Sequence, residues 1–202
     1  MNNKDKLFIG TEIVKSIENN VAIKLLPKKT VSRCSGFFCE EPAQLAVATN
    51  RENHEEFGIF IHESCHMDQW LEQTELWLQP VLNGPEDIMA QYTTGKRTRK
   101  TKVVKSYLQA MLKLEIDCEI RALEKIKKYN LSIPLDDYAR KANCYMYSYR
   151  SFYETSLWHK RPHVPSKDPV IMAQMPTEIL TFKEYWKGHD LIHDLLLKYG
   201  KK

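Results

Sequence analysis

The sequence lacks any apolar run close to the roughly 20 residues that a membrane-spanning helix requires. Its first 20 residues contain only a short apolar patch, interrupted by glutamate and lysine and without the cleavage site of a signal peptide. The five cysteines are an odd number, which does not fit a secreted disulfide framework. We therefore expect reduced thiols, a cytoplasmic location and no association with a membrane.

Internal repeats and low-complexity tracts are also missing, and 43% hydrophobic with 28% charged residues is ordinary for a soluble globular protein. The net charge of +4 is too small to indicate a nucleic-acid-binding protein by itself. The segment 96–105 nevertheless has a cationic run without an acid, consisting of Lys96, Arg97, Arg99, Lys100 and Lys102. This run is either a solvated loop and helix entry or a patch that binds nucleic acid.

Hydrophobic periodicity predicts one early helix, three short strands and then helices only. The first helix covers 7–18, with Ile9, Ile13, Val14 and Ile17 at helical spacing, and the strands cover 21–26, 31–38 and 43–49. Further helices are predicted at 54–78, 86–93, 102–129, 134–153 and 181–199, with a loop at 159–176. This order is typical of an α+β fold with one small three-stranded sheet.

The predicted helix 54–78 carries the pattern His-Glu-x-x-His at His62, Glu63 and His66. Two histidines four residues apart project from one helix face and can bind one zinc ion. Glu63, one step round the helix, is then placed to act as the base on a zinc-bound water. The pattern predicts a zinc-dependent hydrolase with Glu63 as its catalytic residue.

A catalytic zinc site needs a third protein ligand. Glu72 occupies the place of the third histidine in the HExxHxxGxxH class, which excludes that class. The predicted helix 102–129 has two carboxylates, Glu115 and Glu119, within an otherwise apolar seam. Its positions are Leu108, Leu112, Glu115, Glu119, Ala122 and Ile126. Because a buried carboxylate needs compensation and a metal ion supplies it, either glutamate is a candidate third ligand.

With these two motifs the chain resembles the gluzincin metallopeptidases over about residues 7–130. In that resemblance Glu115 takes the place of the ligand, Cys118 of a small residue, Glu119 of the supporting acid and Ala122 of an alanine. Glu119 stands where aspartate is more usual, so which acid ligates stays open. The order of elements is similar to the minimal domain of ImmA/IrrE-type peptidases, and the motif segments look closest to phage metallopeptidases, which would place the protein in a host cytoplasm.

The resemblance implies a zincin-like (minimal gluzincin) domain at 1–153, with an HExxH helix and a Glu helix, and a C-terminal loop and helix at 154–202. It also implies a peptide or protein substrate that lies along the edge strand before the metal helix, for which 43–49 is the candidate. An oxyanion donor is expected from a later element. The candidates are Tyr145, Tyr147, Tyr149, His159 and His163.

Our interpretation is a peptidase that binds one Zn²⁺ through His62, His66 and Glu115. One alternative is a catalytically silent zincin-like module with a binding or regulatory role. Another is a nucleic-acid-associated protein that uses the segment 96–105. We expect no metal site at His189 and His193, which read as a surface helix, nor at Cys34 and Cys39, whose spacing is unlike that of a zinc ribbon.

Overall fold

The computed structural model describes residues 1–32, 34–50, 55–83, 100–155, 165–188, 192 and 194–196, and only the backbone of 81–83. The sheet-forming part has α1 (Asn3–Glu18), β1 (Ala22–Leu26), β2 (Gly36–Glu40) and β3 (Ala43–Ala48). The helices that follow are α2 (Glu55–Leu71), α3 (Glu75–Asn83), α4 (Lys102–Tyr129), α5 (Leu135–Thr155), α6 (Pro169–Gln174) and α7 (Phe182–Lys187), with a 3₁₀ turn at Pro165–Lys167. The protein is therefore α+β, as predicted. Across the described residues, every helix is too short or too polar to cross a membrane.

Contacts divide the chain into two compact units. The first contains Met1–Thr74 and Cys118–Leu135, and the second contains Glu75–Asp117 and Asp136–Lys202. Helix α4 is continuous over Lys102–Tyr129, so its first half belongs to one unit and its second half to the other. The sequence-based boundary between a domain at 1–153 and an extension at 154–202 stays a prediction.

Three helices end in the same way, on a residue with positive φ. Asn20, Gln73 and Asn130 have φ of 57°, 50° and 50° and follow α1, α2 and α4. After each, the next residue's N–H bonds a carbonyl five residues back, as Thr74 does with Gln69 at 3.1 Å. This is the Schellman arrangement, which satisfies carbonyls at a helix end. Because Gln73 ends α2, the prediction of one helix over 54–78 was wrong, and α3 begins separately at Glu75.

The sheet is mixed, with β3 in its centre. β3 pairs in parallel with β1 and antiparallel with β2. The prediction that 43–49 forms an edge strand was therefore wrong: among the described strands the edges are β1 and β2, and β2 contacts α2. The second strand also begins later than predicted, at Gly36, because Val31 and Cys34 form an isolated bridge ahead of it.

Helix α1 begins with a capping box, in which Asn2 accepts from the backbone of Asp5 and the Asp5 carboxylate accepts from Asn2. Its buried residues are Asp5, Phe8, Glu12 and Ser16, whereas the predicted apolar positions Ile13, Val14 and Ile17 are exposed. The helix and its end at residue 18 were predicted correctly, but it begins earlier than predicted, at Asn3, and its inward face is different. Phe8 fills the core of the first unit, against the rings of Phe57, Phe60 and Tyr129.

The second unit has an apolar core built mainly from α4, α5 and the segment after residue 165. The predicted helices 102–129 and 134–153 match α4 and α5 closely. The predicted loop at 159–176 was wrong in its second half, because Asp168 caps α6 by accepting from the backbone N–H of Val170 and Ile171. The predicted helix at 86–93 lies outside the described residues. The prediction of one helix over 181–199 was wrong in its extent, because α7 covers only Phe182–Lys187 and Gly188 caps its end.

Candidate metal centre

Helix α2 places His62, Glu63 and His66 as the sequence pattern predicts. The two imidazole rings are 4.7 Å apart between centroids and nearly perpendicular, at 87°. His66 is buried, and the side chain of His62 keeps 17% of its surface exposed. The pair therefore lies at the edge of the first unit's core, where an ion can be reached from solvent.

Helix α4 brings a carboxylate and a thiol to the same place. One ligand atom each from His62, His66, Glu115 and Cys118 can be chosen so that all four lie within 4.8 Å of one another. Glu115 and Cys118 are three residues apart on the unbroken helix α4, so one turn of helix fixes their separation. In the described residues this is the one group of its kind, and it could hold a metal ion.

The inner nitrogens of both histidines are held by oxygen atoms. Nδ1 of His62 lies 3.0 Å from Oε1 of Glu119, and Nδ1 of His66 lies 2.8 Å from Oε1 of Gln69. A carboxylate and an amide oxygen only accept hydrogen bonds, so both Nδ1 atoms donate. The lone pair of each ring is then on Nε2, which is the arrangement typical of metal-binding histidines.

Cys118 is a member of the group that sequence reasoning treated only as a small residue. Its thiol donates to the backbone carbonyl of His62 at 3.3 Å and lies 3.5 Å from Nδ1 of the same residue. Cys118 and Glu119 therefore both lie near Nδ1 of His62. The signal in the sequence was its spacing of three from Glu115, which places both on one helix face.

Glu63 is buried beside Gly36 of β2. A Cβ on Gly36 would lie 3.1 Å from Cγ of Glu63 and 2.6 Å from Cγ2 of Ile59, so this approach requires glycine. Cys34 lies two residues before this glycine, and partial desolvation of its thiol, together with the nearby Glu63 carboxylate, raises the pKa of this exposed cysteine.

The three candidate tyrosines on α5 have different contacts. The hydroxyls of Tyr145 and Tyr149 donate to Oε1 of Glu115 at 3.1 and 3.0 Å. Tyr147 instead packs against Tyr185, with ring centroids 5.0 Å apart. Burial raises the pKa of Tyr149 well above its usual value and, together with Glu184, raises that of Tyr147 to about 12.

The first unit also contains a buried ionic cluster that the sequence did not indicate. Nζ of Lys125 lies 3.3 Å from Glu12 and 2.9 Å from Asp68, and it donates to Ser64 at 2.8 Å. Lys15 also pairs with Asp68. Burial raises the pKa of Glu12, and the neighbouring Cys65, Glu12 and Asp68 raise that of Lys125 against the opposing effect of its burial. No local pattern indicates this cluster, because its members come from α1, α2 and α4.

Several predicted residues fall outside the described residues. They are His159 and His163 of the oxyanion candidates, Lys96, Arg97 and Arg99 of the basic segment, and His189 and His193. Lys100 and Lys102, which are described, are exposed. Cys34 and Cys39 bond different acceptors, the carbonyls of Val31 and Pro42. Cys65 lies outside the four-residue metal group.

Comparison of the chain with protein-family models, with curated proteins and with solved structures gave no match.

Proposed function

We propose that the protein is a zinc-dependent hydrolase that cleaves peptide bonds. One observation carries the proposal: the two histidines of the His-Glu-x-x-His pattern lie in one group with Glu115, and the hydrogen bonds from their Nδ1 atoms to Glu119 and Gln69 leave the lone pair of each ring on Nε2. Two imidazoles and one carboxylate form a donor set that catalytic zinc sites use. A zinc ion held there would lower the pKa of a coordinated water molecule toward about 7 and polarise a carbonyl.

Glu63 is the general base of the proposed reaction. Its carboxylate takes a proton from the attacking water, whose oxygen bonds to the carbonyl carbon of the substrate. When the carbon–nitrogen bond breaks, Glu63 returns the proton to the leaving nitrogen. Burial of Glu63 beside β2 keeps the carboxylate among protein atoms, which favours proton transfer to substrate over exchange with bulk water.

The position of strand β2 favours a peptide as the substrate. It is an edge of the described sheet and passes against Glu63 at Gly36, so a peptide added along it would run past the base. Among the tyrosines, Tyr145 is our candidate oxyanion donor. Tyr147 points into a different packing contact, and Tyr149 is fully buried, whereas Tyr145 is only partly buried.

Cys118 favours a second candidate function. If its thiolate joined both histidines and Glu115, the zinc would have four protein ligands and no open position, which is the mark of a structural site. The protein would then be a zinc-stabilised binding module. Glu63 distinguishes the two functions, because a structural site has no use for a base.

The test is hydrolysis of fluorescently labelled denatured casein by the full chain and by its Glu63→Gln variant, with zinc measured in both. We expect both proteins to contain zinc and the variant to be at least about 10²-fold slower, the lower end of what general base catalysis contributes. Zinc in both proteins with equal hydrolysis would exclude Glu63 as the base. Zinc in both with no hydrolysis by either would favour the structural alternative.

A further inference from the structure

Glu115 is held by two tyrosine hydroxyls of α5, and both contact the same carboxylate oxygen. Tyr149 donates to Oε1 at 3.0 Å and Tyr145 at 3.1 Å, and the two hydroxyls lie 3.1 Å from each other. The tyrosines are four residues apart, so they project from one face of α5, and their rings meet edge to face at 5.6 Å. Two donors to one oxygen orient the carboxylate more firmly than either alone.

This arrangement divides the two carboxylate oxygens between two tasks. When Oε1 takes both hydrogen bonds, Oε2 is the better electron donor to a cation. A carboxylate that binds zinc through one oxygen uses one coordination position, whereas one that binds through both oxygens uses two. The hydroxyls therefore favour single-oxygen binding by Glu115, which leaves a position for water.

The two tyrosines differ in burial. Tyr149 keeps only 2% of its surface exposed, so a water molecule cannot easily replace its hydroxyl. Tyr145 is only partly buried, so water can take over its hydrogen bond at little cost. Loss of the Tyr149 hydroxyl should thus leave Glu115 less well oriented than loss of the Tyr145 hydroxyl.

We propose that Tyr149 is the positioning residue that makes Glu115 a single-oxygen metal ligand, and that Tyr145 is an exchangeable second donor. This inference rests on the metal site of the proposed function, but not on its catalytic activity. Tyr149 acts through Glu115 and has no contact with the substrate in this role. Tyr145 is then able to leave Glu115 without undoing the metal site, as an oxyanion donor must.

The experiment compares Tyr149→Phe, Tyr145→Phe and Tyr147→Phe in the full chain. Tyr147 is the matched control, because it is buried on the same helix and packs against Tyr185. Zinc affinity is measured by competition with a chromophoric chelator, and folding by thermal unfolding of the metal-free proteins. We expect Tyr149→Phe to weaken zinc binding by about 10–100-fold, the usual effect of removing a residue that orients a ligand. Tyr145→Phe should weaken it by less than about tenfold, and Tyr147→Phe should leave it unchanged.

Cobalt substitution supplies a readout that a purely structural role would not change. The visible absorption of Co²⁺ is more intense in four-coordinate sites than in five-coordinate ones, so Tyr149→Phe should reduce it as Glu115 turns to bind through both oxygens. Tyr147→Phe should not change it. An unchanged spectrum and affinity in a folded Tyr149→Phe protein would overturn the inference.

A double-mutant cycle separates this inference from the proposed function. In a Glu115→Ala background, Tyr149→Phe should have no further effect on the residual zinc affinity, because its effect passes through Glu115. A further loss of similar size would show that Tyr149 acts elsewhere and would overturn the inference. If the wild-type protein binds no zinc at all, the proposed function fails together with the inference.

Discussion

Glu119 and His62 are joined by a hydrogen bond of 3.0 Å between Oε1 of the carboxylate and Nδ1 of the ring. Glu115, one helical turn earlier on α4, belongs instead to the group of metal-ligand atoms. The sequence placed both acids on one seam and could not separate them. The geometry supports Glu115 as the ligand and Glu119 as the residue that orients His62.

The two glutamates should therefore respond differently to replacement. We expect Glu115→Ala to release zinc almost completely, because it removes a ligand. Glu119→Ala should weaken binding by about 10–100-fold, because it removes only the support of a ligand. Chelator competition measures both. Full occupancy in Glu115→Ala with an empty site in Glu119→Ala would show that the roles are exchanged.

Replacement of Cys118 tests whether a bound zinc ion would keep an open coordination position. If the thiol donates to the backbone carbonyl of His62 and does not bind the metal, Cys118→Ala should retain one zinc ion with little change in affinity. The Cys65→Ala variant is the matched control, since this buried thiol lies outside the metal group. Loss of zinc in Cys118→Ala alone would show a fourth protein ligand and favour a structural site.

Much of the fold follows from the sequence because the signals are local. The apolar seam of α4 and the proline before α5 each predict a helix close to its observed bounds, and the spacing of His62 and His66 correctly predicts that both lie on one helix. Gln73 was missed because any non-glycine residue with positive φ depends on the hydrogen bonds that compensate it. The inward face of α1 was missed because the buried Glu12 pairs with Lys125, more than a hundred residues away.

Lys125 should be the most sensitive position of the buried ionic cluster. Lys125→Met leaves the buried Glu12 and Asp68 carboxylates with only the partly exposed Lys15 as a cation, and we expect a loss of about 3–5 kcal/mol in the free energy of unfolding. Lys15→Met is the control, because Lys15 is 37% exposed and should cost less than about 1 kcal/mol. Urea denaturation in the presence of a chelator measures both without a contribution from metal. Equal effects would contradict a central role for Lys125.

Asp5 predicts a defined pH dependence of stability. Burial would raise the pKa of its carboxyl, but hydrogen bonds from Ser132 and Asn2 outweigh this and lower it below the usual 3.8. A lowered folded pKa stabilises the protein above pH 3.8, and this contribution is lost as the pH falls through the folded value. Asp5→Asn should therefore cost about 1.5–3 kcal/mol near neutral pH, the contribution of hydrogen bonds to a charged group.

Urea denaturation of wild type and Asp5→Asn between pH 3 and pH 7 follows this difference. The difference in the free energy of unfolding between the two proteins should be constant near pH 7 and decrease toward pH 3. A difference that grows as the pH falls would have the wrong sign for this carboxylate.

The zinc content of the purified full-length protein, measured beside that of its His62→Ala variant, tests the central claim most directly. The ligand group on α2 and α4 predicts one zinc ion per wild-type chain and almost none in the variant, since two of three protein ligands rarely retain the metal. Equal zinc content in the two proteins, or none in the wild type after purification with zinc, would contradict the account.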